Sequence, residues 1–202
     1  MTGANSGIGE IAARQLQDCG HVLTVVCRSR ERADQTMAWI QEPSQILIAD
    51  LSNLNAVNNI AEQLCLDGQR FDALVLNAGL QYAGVDIPRW SLQGFELTWA
   101  VNHLAHQCLL QRVLPLLRDS PSARVVITAS EVHNPKTGGG RVGQPAGLGT
   151  LAGMQQGASA AMVDGSSPFN ADKAYKDSKL CNLLMGLELS RHCLLYTSPS
   201  PR

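Results

Sequence analysis

No block of like charge runs through this sequence, and neither sign dominates: 16 Lys and Arg face 17 Asp and Glu, for a formal net charge of −1. That balance excludes the basic footprint that a nucleic-acid partner or an anionic membrane surface requires. Long apolar runs are also lacking; charges or turn residues interrupt every stretch before it reaches the roughly 20 residues of a transmembrane helix. Cysteine pairs of the C-x-x-C type are absent among Cys19, Cys27, Cys65, Cys108, Cys181 and Cys193, which removes the commonest zinc and redox spacings. Most of these thiols sit in apolar segments and are expected to be buried and free, in a soluble protein of a reducing compartment. What remains is ordinary for one globular domain: 202 residues, 45% of them apolar, enough to build a core.

Four short apolar runs punctuate the chain: 21–27 (HVLTVVC), 45–49 (QILIA), 71–76 (FDALVL) and 123–129 (ARVVITA). Runs of this kind suit strands buried on both faces of a parallel sheet. Segments 7–19, 30–41, 53–64 and 94–117 space their apolar residues three and four apart, as helices do. The alternation predicts an α/β fold, a doubly wound parallel sheet with helices on both faces. Residues 131–170 break the pattern; rich in Gly, Pro, Ser and Gln, they read as a long insertion. Segment 171–192 is again helical and carries Tyr175 and Lys179. Residues 1–192 therefore form one domain, while 193–202 (CLLYTSPSPR) are expected to be a non-native or disordered tail. No strand precedes the turn at Thr2 and none follows the last helix. The sheet is accordingly expected to be truncated, lacking its first strand and its C-terminal strands.

Residues 2–9 read TGANSGIG. Glycines at Gly3, Gly7 and Gly9 permit a tight turn, close approach of the backbone to a pyrophosphate, and packing of the helix on the sheet. Amides at the start of the following helix would face the phosphates. Thr2, Gly3, Asn5, Ser6, Gly7, Ile8 and Gly9 are thus candidates to bind a dinucleotide. The 21–27 run leads into Cys27-Arg28-Ser29-Arg30 and carries no acidic residue at its end to hold a ribose 2′-hydroxyl. Arg28, and less clearly Arg30, can instead meet a 2′-phosphate, which points to NADPH/NADP as the cofactor. The alternative is a solvated helix start in which Glu31 or Asp34 pairs with either Arg. Asp50 and Leu51 follow the 45–49 run and are placed to contact adenine. Asn77, Ala78 and Gly79 follow the 71–76 run and are placed beside the ribose.

Tyr175 and Lys179 stand at i and i+4 and share a helix face. A free Tyr, with a pKa of about 10, is a poor proton carrier near neutrality, and a neighbouring ammonium lowers that value by stabilising phenolate. Ser130 ends the 123–129 strand, where a hydroxyl can bond a reacting carbonyl or simply cap the strand. Asn102 is a poor helix former inside segment 94–117, which suggests a functional or local hydrogen-bonding reason for it.

Taken together, TGANSGIG, Asp50-Leu51, Asn77-Ala78-Gly79, Asn102, Ser130 and YKDSK at Tyr175 resemble the short-chain dehydrogenase/reductase family in order and spacing, over nearly all of 1–192. The resemblance implies a Rossmann-like fold. It implies Tyr175 as general acid/base, Lys179 as the group that tunes it and binds the ribose, Ser130 as carbonyl-orienting and Asn102 as holder of a relay water. KAYKDSKLCN at 173–182, NAGLQ at 77–81, FELTWAVNHL at 95–104 and the long insertion are similar to the light-dependent protochlorophyllide reductase subgroup. EVHNP at 131–135 looks more like non-photosynthetic relatives. Three functions follow: an NADPH-dependent oxidoreductase acting on a small apolar carbonyl, alcohol or conjugated double bond; a light-driven pigment reductase; or a non-catalytic nucleotide binder on the same fold. The family also implies homo-oligomers formed through segments 94–117 and 171–192; the location is left open, with a reducing compartment expected, the cytoplasm, or the plastid if the pigment-reductase reading holds.

Other conspicuous residues have plainer readings. His103 and His106, without a carboxylate or thiol cluster, read as packing or surface histidines rather than metal ligands. Trp90 and Trp99 read as core, and Met154 and Met162 as an apolar floor or loop packing. Cys181 reads as buried packing. His133 lies where it can border a substrate.

Overall fold

The computed structural model describes residues 1–118, 120 and 122–192; the tail expected at 193–202, with Cys193, lies outside the described residues. In chain order the elements are α1 (Gly7–Asp18), β1 (Thr24–Cys27), α2 (Arg30–Met37), β2 (Gln45–Ile48), α3 (Leu54–Leu66) and β3 (Ala73–Leu76). There follow α4 (Leu97–Trp99), one π-helical turn (Ala100–Leu104), α5 (Ala105–Arg118) and β4 (Arg124–Ile127). Three short turns, 3-10 at Glu131–His133, α6 at Gly138–Arg141 and α7 at Ala152–Gln155, cross the insertion before the long α8 (Ala171–His192).

All strand pairing is parallel. β1 pairs β2 with Val25 opposite Ile46, and β3 pairs β4 with Val75 opposite Val126. Residues 1 and 2 stitch the pairs together: the Val26 amide donates to the Met1 carbonyl at 3.0 Å, and the Thr2 amide donates to the Val75 carbonyl at 2.9 Å. The order across the layer is therefore β2–β1–(Met1, Thr2)–β3–β4, and the two residues ahead of the glycine turn occupy the central position. Alternation along β1 shows the double winding. Val25 and Cys27 pack with Ala13 of α1 and Ala33 of α2. Val26 packs on the opposite face with residues of α3 and α5, including Val57, Ile60 and Leu109. Each such aliphatic side chain, once buried, contributes roughly 1.5–3 kcal/mol.

Local chemistry sets the helix starts. Ser29 caps α2 by accepting from the Arg32 amide, and Asn53 caps α3 by accepting from the Asn55 and Ala56 amides. The helix expected over 94–117 begins only at Leu97 and is not continuous. Gly94 turns the chain at φ +78°, and the Glu96 carboxylate caps the amides of Thr98 and Trp99 at 3.0 and 2.9 Å. The π turn then carries Asn102 inward, fully buried.

The insertion is folded onto α8 rather than loose. Lys176 lies 5% exposed, and its ammonium donates to the carbonyls of Gly140, Val142 and Gln144. Lys173 bridges Asp164 at 2.9 Å and Asp177 at 2.6 Å. Met162 joins Phe169, Ala171 and Ala174 in a small core, while Met154 packs beside Trp99 and Val163. Two expectations need correction. Trp90 is a surface residue, 44% exposed, because it lies in the extended loop ahead of Glu96, bridged only to that residue. Cys19 and Cys65 are exposed, since they sit at the ends of α1 and α3 on the solvent side. The other described cysteines, Cys27, Cys108 and Cys181, are free and at least partly buried. Among the described residues no helix is long and apolar enough to cross a membrane, and no cluster of His, Cys, Asp and Glu is arranged to hold a metal.

Candidate active site

Residues immediately following the strands converge on one cleft of about 770 Å³. The turn supplies Gly3, Asn5, Ser6, Ile8 and Gly9; the end of β1 supplies Arg28; the end of β2 supplies Ala49, Asp50, Leu51 and Ser52. The end of β3 supplies Asn77, Ala78, Gly79 and Leu80, the end of β4 supplies Thr128, and α8 supplies Tyr175 and Lys179. A crevice at the carboxyl ends of parallel strands is where open α/β sheets bind ligands.

Close contact explains the glycines. A Cβ on Gly9 would lie 1.9 Å from the Gly3 carbonyl oxygen and 2.5 Å from the Asn77 side chain, and one on Gly3 would meet Ala78 Cα at 2.8 Å. Gly3 and Gly7 also adopt φ of +66° and +55°. Ser6 precedes α1 without a side-chain cap, so the first helical amides have no intrahelical partner and open toward the cleft. These uncapped amides, with side-chain-free backbone around them, fit a dinucleotide pyrophosphate.

Thr2 and Gly7 do not line the cleft. Thr2 is buried behind the turn, where its hydroxyl accepts from the amides of Asn77 and Ala78 at 3.0 and 3.1 Å and bonds His106 Nε2 at 3.0 Å. Asn77 completes this framework by donating to the Gly3 carbonyl at 3.2 Å and accepting from the Thr128 hydroxyl at 3.2 Å. Asp50 accepts from the Ser52 amide at 2.8 Å. Beyond the end of β1, Arg28 is exposed and lines the cleft, Arg30 lies outside it, and Arg32, which sequence reasoning passed over, lines it too. Ser29 caps α2 by accepting from the Arg32 backbone amide, but that bond does not set where the Arg32 side chain points, and no signal in the sequence marks it.

On the opposite side, α8 aims Tyr175 and Lys179 into the cleft, with the Lys179 ammonium 5.5 Å from the Tyr175 ring centroid. Lys179 is 3% exposed, donates to the Thr128 carbonyl at 3.2 Å, and burial lowers its pKa from the usual lysine value. Asn102 makes a dense set of contacts. Its oxygen accepts from the Leu80 amide at 2.8 Å, and its two amide hydrogens go to the Leu80 carbonyl at 2.9 Å and the Ser178 hydroxyl at 3.1 Å. Ser178 donates in turn to the Tyr175 carbonyl at 2.7 Å. Asn102 therefore ties the β3 loop to the helix that carries Tyr175. Ser130 is half-buried beyond β4, outside the cleft lining; its hydroxyl does not cap the 3-10 turn, and its carbonyl accepts from the His133 amide and ring. His103 stacks on Trp99 and bonds Asn182 at 3.1 Å.

A family model described as short chain dehydrogenase matches residues 1–140. Protochlorophyllide reductase A of Oryza sativa subsp. japonica is 35% identical over 95% of this chain and 52% of its own length. The protochlorophyllide reductase of Chlamydomonas reinhardtii is 38% identical over 91% of this chain and 48% of its own. The chain thus spans about half the length of the curated relatives it matches. A solved protein from Mycobacterium paratuberculosis superposes with a TM-score of 0.71 at 27% identity, covering 96% of this chain and 61% of that one. A short-chain dehydrogenase from Shigella flexneri, complexed with NADP, superposes at 0.66 and 24% identity, over 95% of this chain and 69% of its own.

Proposed function

The chain belongs to the short-chain dehydrogenase family, and on that premise we propose that it is the NADP-binding domain of an oxidoreductase acting on an apolar carbonyl, alcohol or conjugated double bond. One observation carries the reading: a single cleft joins the glycine turn, two arginines and the Tyr175–Lys179 pair. A bound NADPH would supply the hydride. The amides opening α1 hold its pyrophosphate, Arg28 and Arg32 its 2′-phosphate, and Asp50 and Leu51 its adenine side. Lys179 holds the nicotinamide ribose. Its ammonium, 5.5 Å from the centre of the phenol ring, is the positive charge that would face a developing phenolate as Tyr175 gives up its proton. Ser130, uncommitted to a cap, is assigned to orient the reacting oxygen. Leu80, Leu97 and Val101 make the adjoining cleft wall apolar. Self-association through α5 and α8 belongs to the same reading, since Leu183, Leu184 and Leu187 stand exposed on α8.

Parallel titrations with NADPH and NADH test it. The arginines and the absent carboxylate require NADPH to bind more tightly; equal affinity, or a preference for NADH, defeats the assignment. A second reading, light-driven reduction of a porphyrin double bond, is favoured by the identity of the curated relatives over nearly this whole chain. Protein, NADPH and protochlorophyllide exposed to a light flash decide it: absence of any light-dependent product rules it out.

A further inference from the structure

His106 is completely buried, and two groups of the site use it: its Nδ1 lies 3.1 Å from the carbonyl of Asn102, in the π turn, and its Nε2 lies 3.0 Å from the hydroxyl of Thr2. Proton counting settles which nitrogen carries hydrogen. The Thr2 oxygen already accepts from two amides, Asn77 and Ala78. A hydroxyl has two lone pairs and one hydrogen, so both lone pairs are in use and the hydrogen remains to donate. Nε2 must therefore accept. A carbonyl only accepts, so Nδ1 must carry the hydrogen that reaches Asn102. The ring is consequently neutral, with one orientation and one tautomer.

We infer that His106 is a positioning residue of the nucleotide site, which as the Nδ1–H tautomer ties the π turn bearing Asn102 to Thr2 and, through Thr2, to the amides that open the 77–79 loop. The inference rests on the proposed binding of a dinucleotide in this cleft. No atom of His106 lines that cleft; it acts through Thr2, whose hydroxyl holds the loop against the glycine turn. Nothing in the i, i+3 spacing of His103 and His106 signals this, because Thr2 lies 104 residues away.

Two measurements on the full chain test the inference. Long-range proton–nitrogen correlation spectra of the histidine rings are expected to show His106 with a protonated Nδ1 and a bare Nε2; a ring protonated on Nε2 overturns the proposal without any substitution. NADPH affinity is then compared among variants. His106→Asn keeps a donor near Nδ1 and loses the acceptor toward Thr2. Its expected loss in affinity is about tenfold, the worth of about 1.4 kcal/mol. His106→Gln, which carries an acceptor near the Nε2 position, is expected to bind within about threefold of the parent, less than half that energy. Equal affinity of His106→Asn and the parent overturns this inference alone. Failure of the parent chain to bind either dinucleotide overturns the proposed function as well, and the two failures are thereby distinct.

Discussion

Acid should unfold this protein in a way that replacing one histidine relieves. His106 is driven to about 3 from the ordinary 6.5, by burial first and by the Lys179 ammonium second, with His103 adding a smaller push and the bond to the Asn102 carbonyl opposing them. The folded state binds the proton more weakly than the unfolded chain does. The neutral ring therefore contributes its full stability above pH 6.5, and that contribution falls away as the pH drops from 6.5 toward 3. A shift of this size corresponds to roughly 4–5 kcal/mol, a large part of the 5–15 kcal/mol that typically holds a domain together. Urea unfolding of the parent and of His106→Gln at intervals from pH 7.5 to 4 isolates the effect, because the other acid-sensitive groups cancel between the two. Below pH 6.5 the parent is expected to lose stability more steeply than His106→Gln, the two slopes differing by about 1.4 kcal/mol per pH unit. Parallel curves over that interval would refute the buried, neutral ring that the hydrogen-bond assignment requires.

Three further outcomes follow from the same geometry. Tyr175→Phe is expected to abolish turnover while leaving NADPH affinity within a small factor, measured side by side by steady-state rates and titration; retained turnover rejects the phenol as proton carrier. Lys176→Met strips the donor from the Gly140, Val142 and Gln144 carbonyls and is expected to cost about 2–4 kcal/mol in urea unfolding; a change under about 0.5 kcal/mol, the scatter of ordinary surface substitutions, argues against the clamp. Gly9→Ala, whose new methyl would sit 1.9 Å from the Gly3 carbonyl oxygen, is expected to abolish dinucleotide binding in a direct titration, and unaltered binding contradicts the packed turn.

The parallel layer was legible because its strands are apolar on both faces, so that even four-residue elements such as Thr24–Cys27 stand out. Tyr175 and Lys179 were legible because one helix carries both and its period puts them side by side. What could not be read came from partners distant in the chain. The break in the helix around Asn102 reflects bonds to Leu80 and Ser178, 22 and 76 residues away. Lys173, Lys176 and Asp177 hold the insertion through Gly147, Gly140, Gln144 and Asp164, at separations that local patterning does not encode. Strand-end logic singled out Ser130 beyond β4, while Thr128, the first residue after β4 and two positions earlier, lines the cleft and gave no signal in the sequence. Arg30 and Arg32 both stand in the first turn of α2, and only the folded geometry separates them, with Arg32 lining the cleft and Arg30 outside it.

A crystal structure of the chain with NADP bound tests the central claim most directly. It should find the pyrophosphate on the amides opening α1, the 2′-phosphate at Arg28 and Arg32, and the nicotinamide ribose within hydrogen-bonding reach of Lys179, beside the Tyr175 hydroxyl. A dinucleotide seated elsewhere, or one whose nicotinamide end lies away from α8, would contradict it.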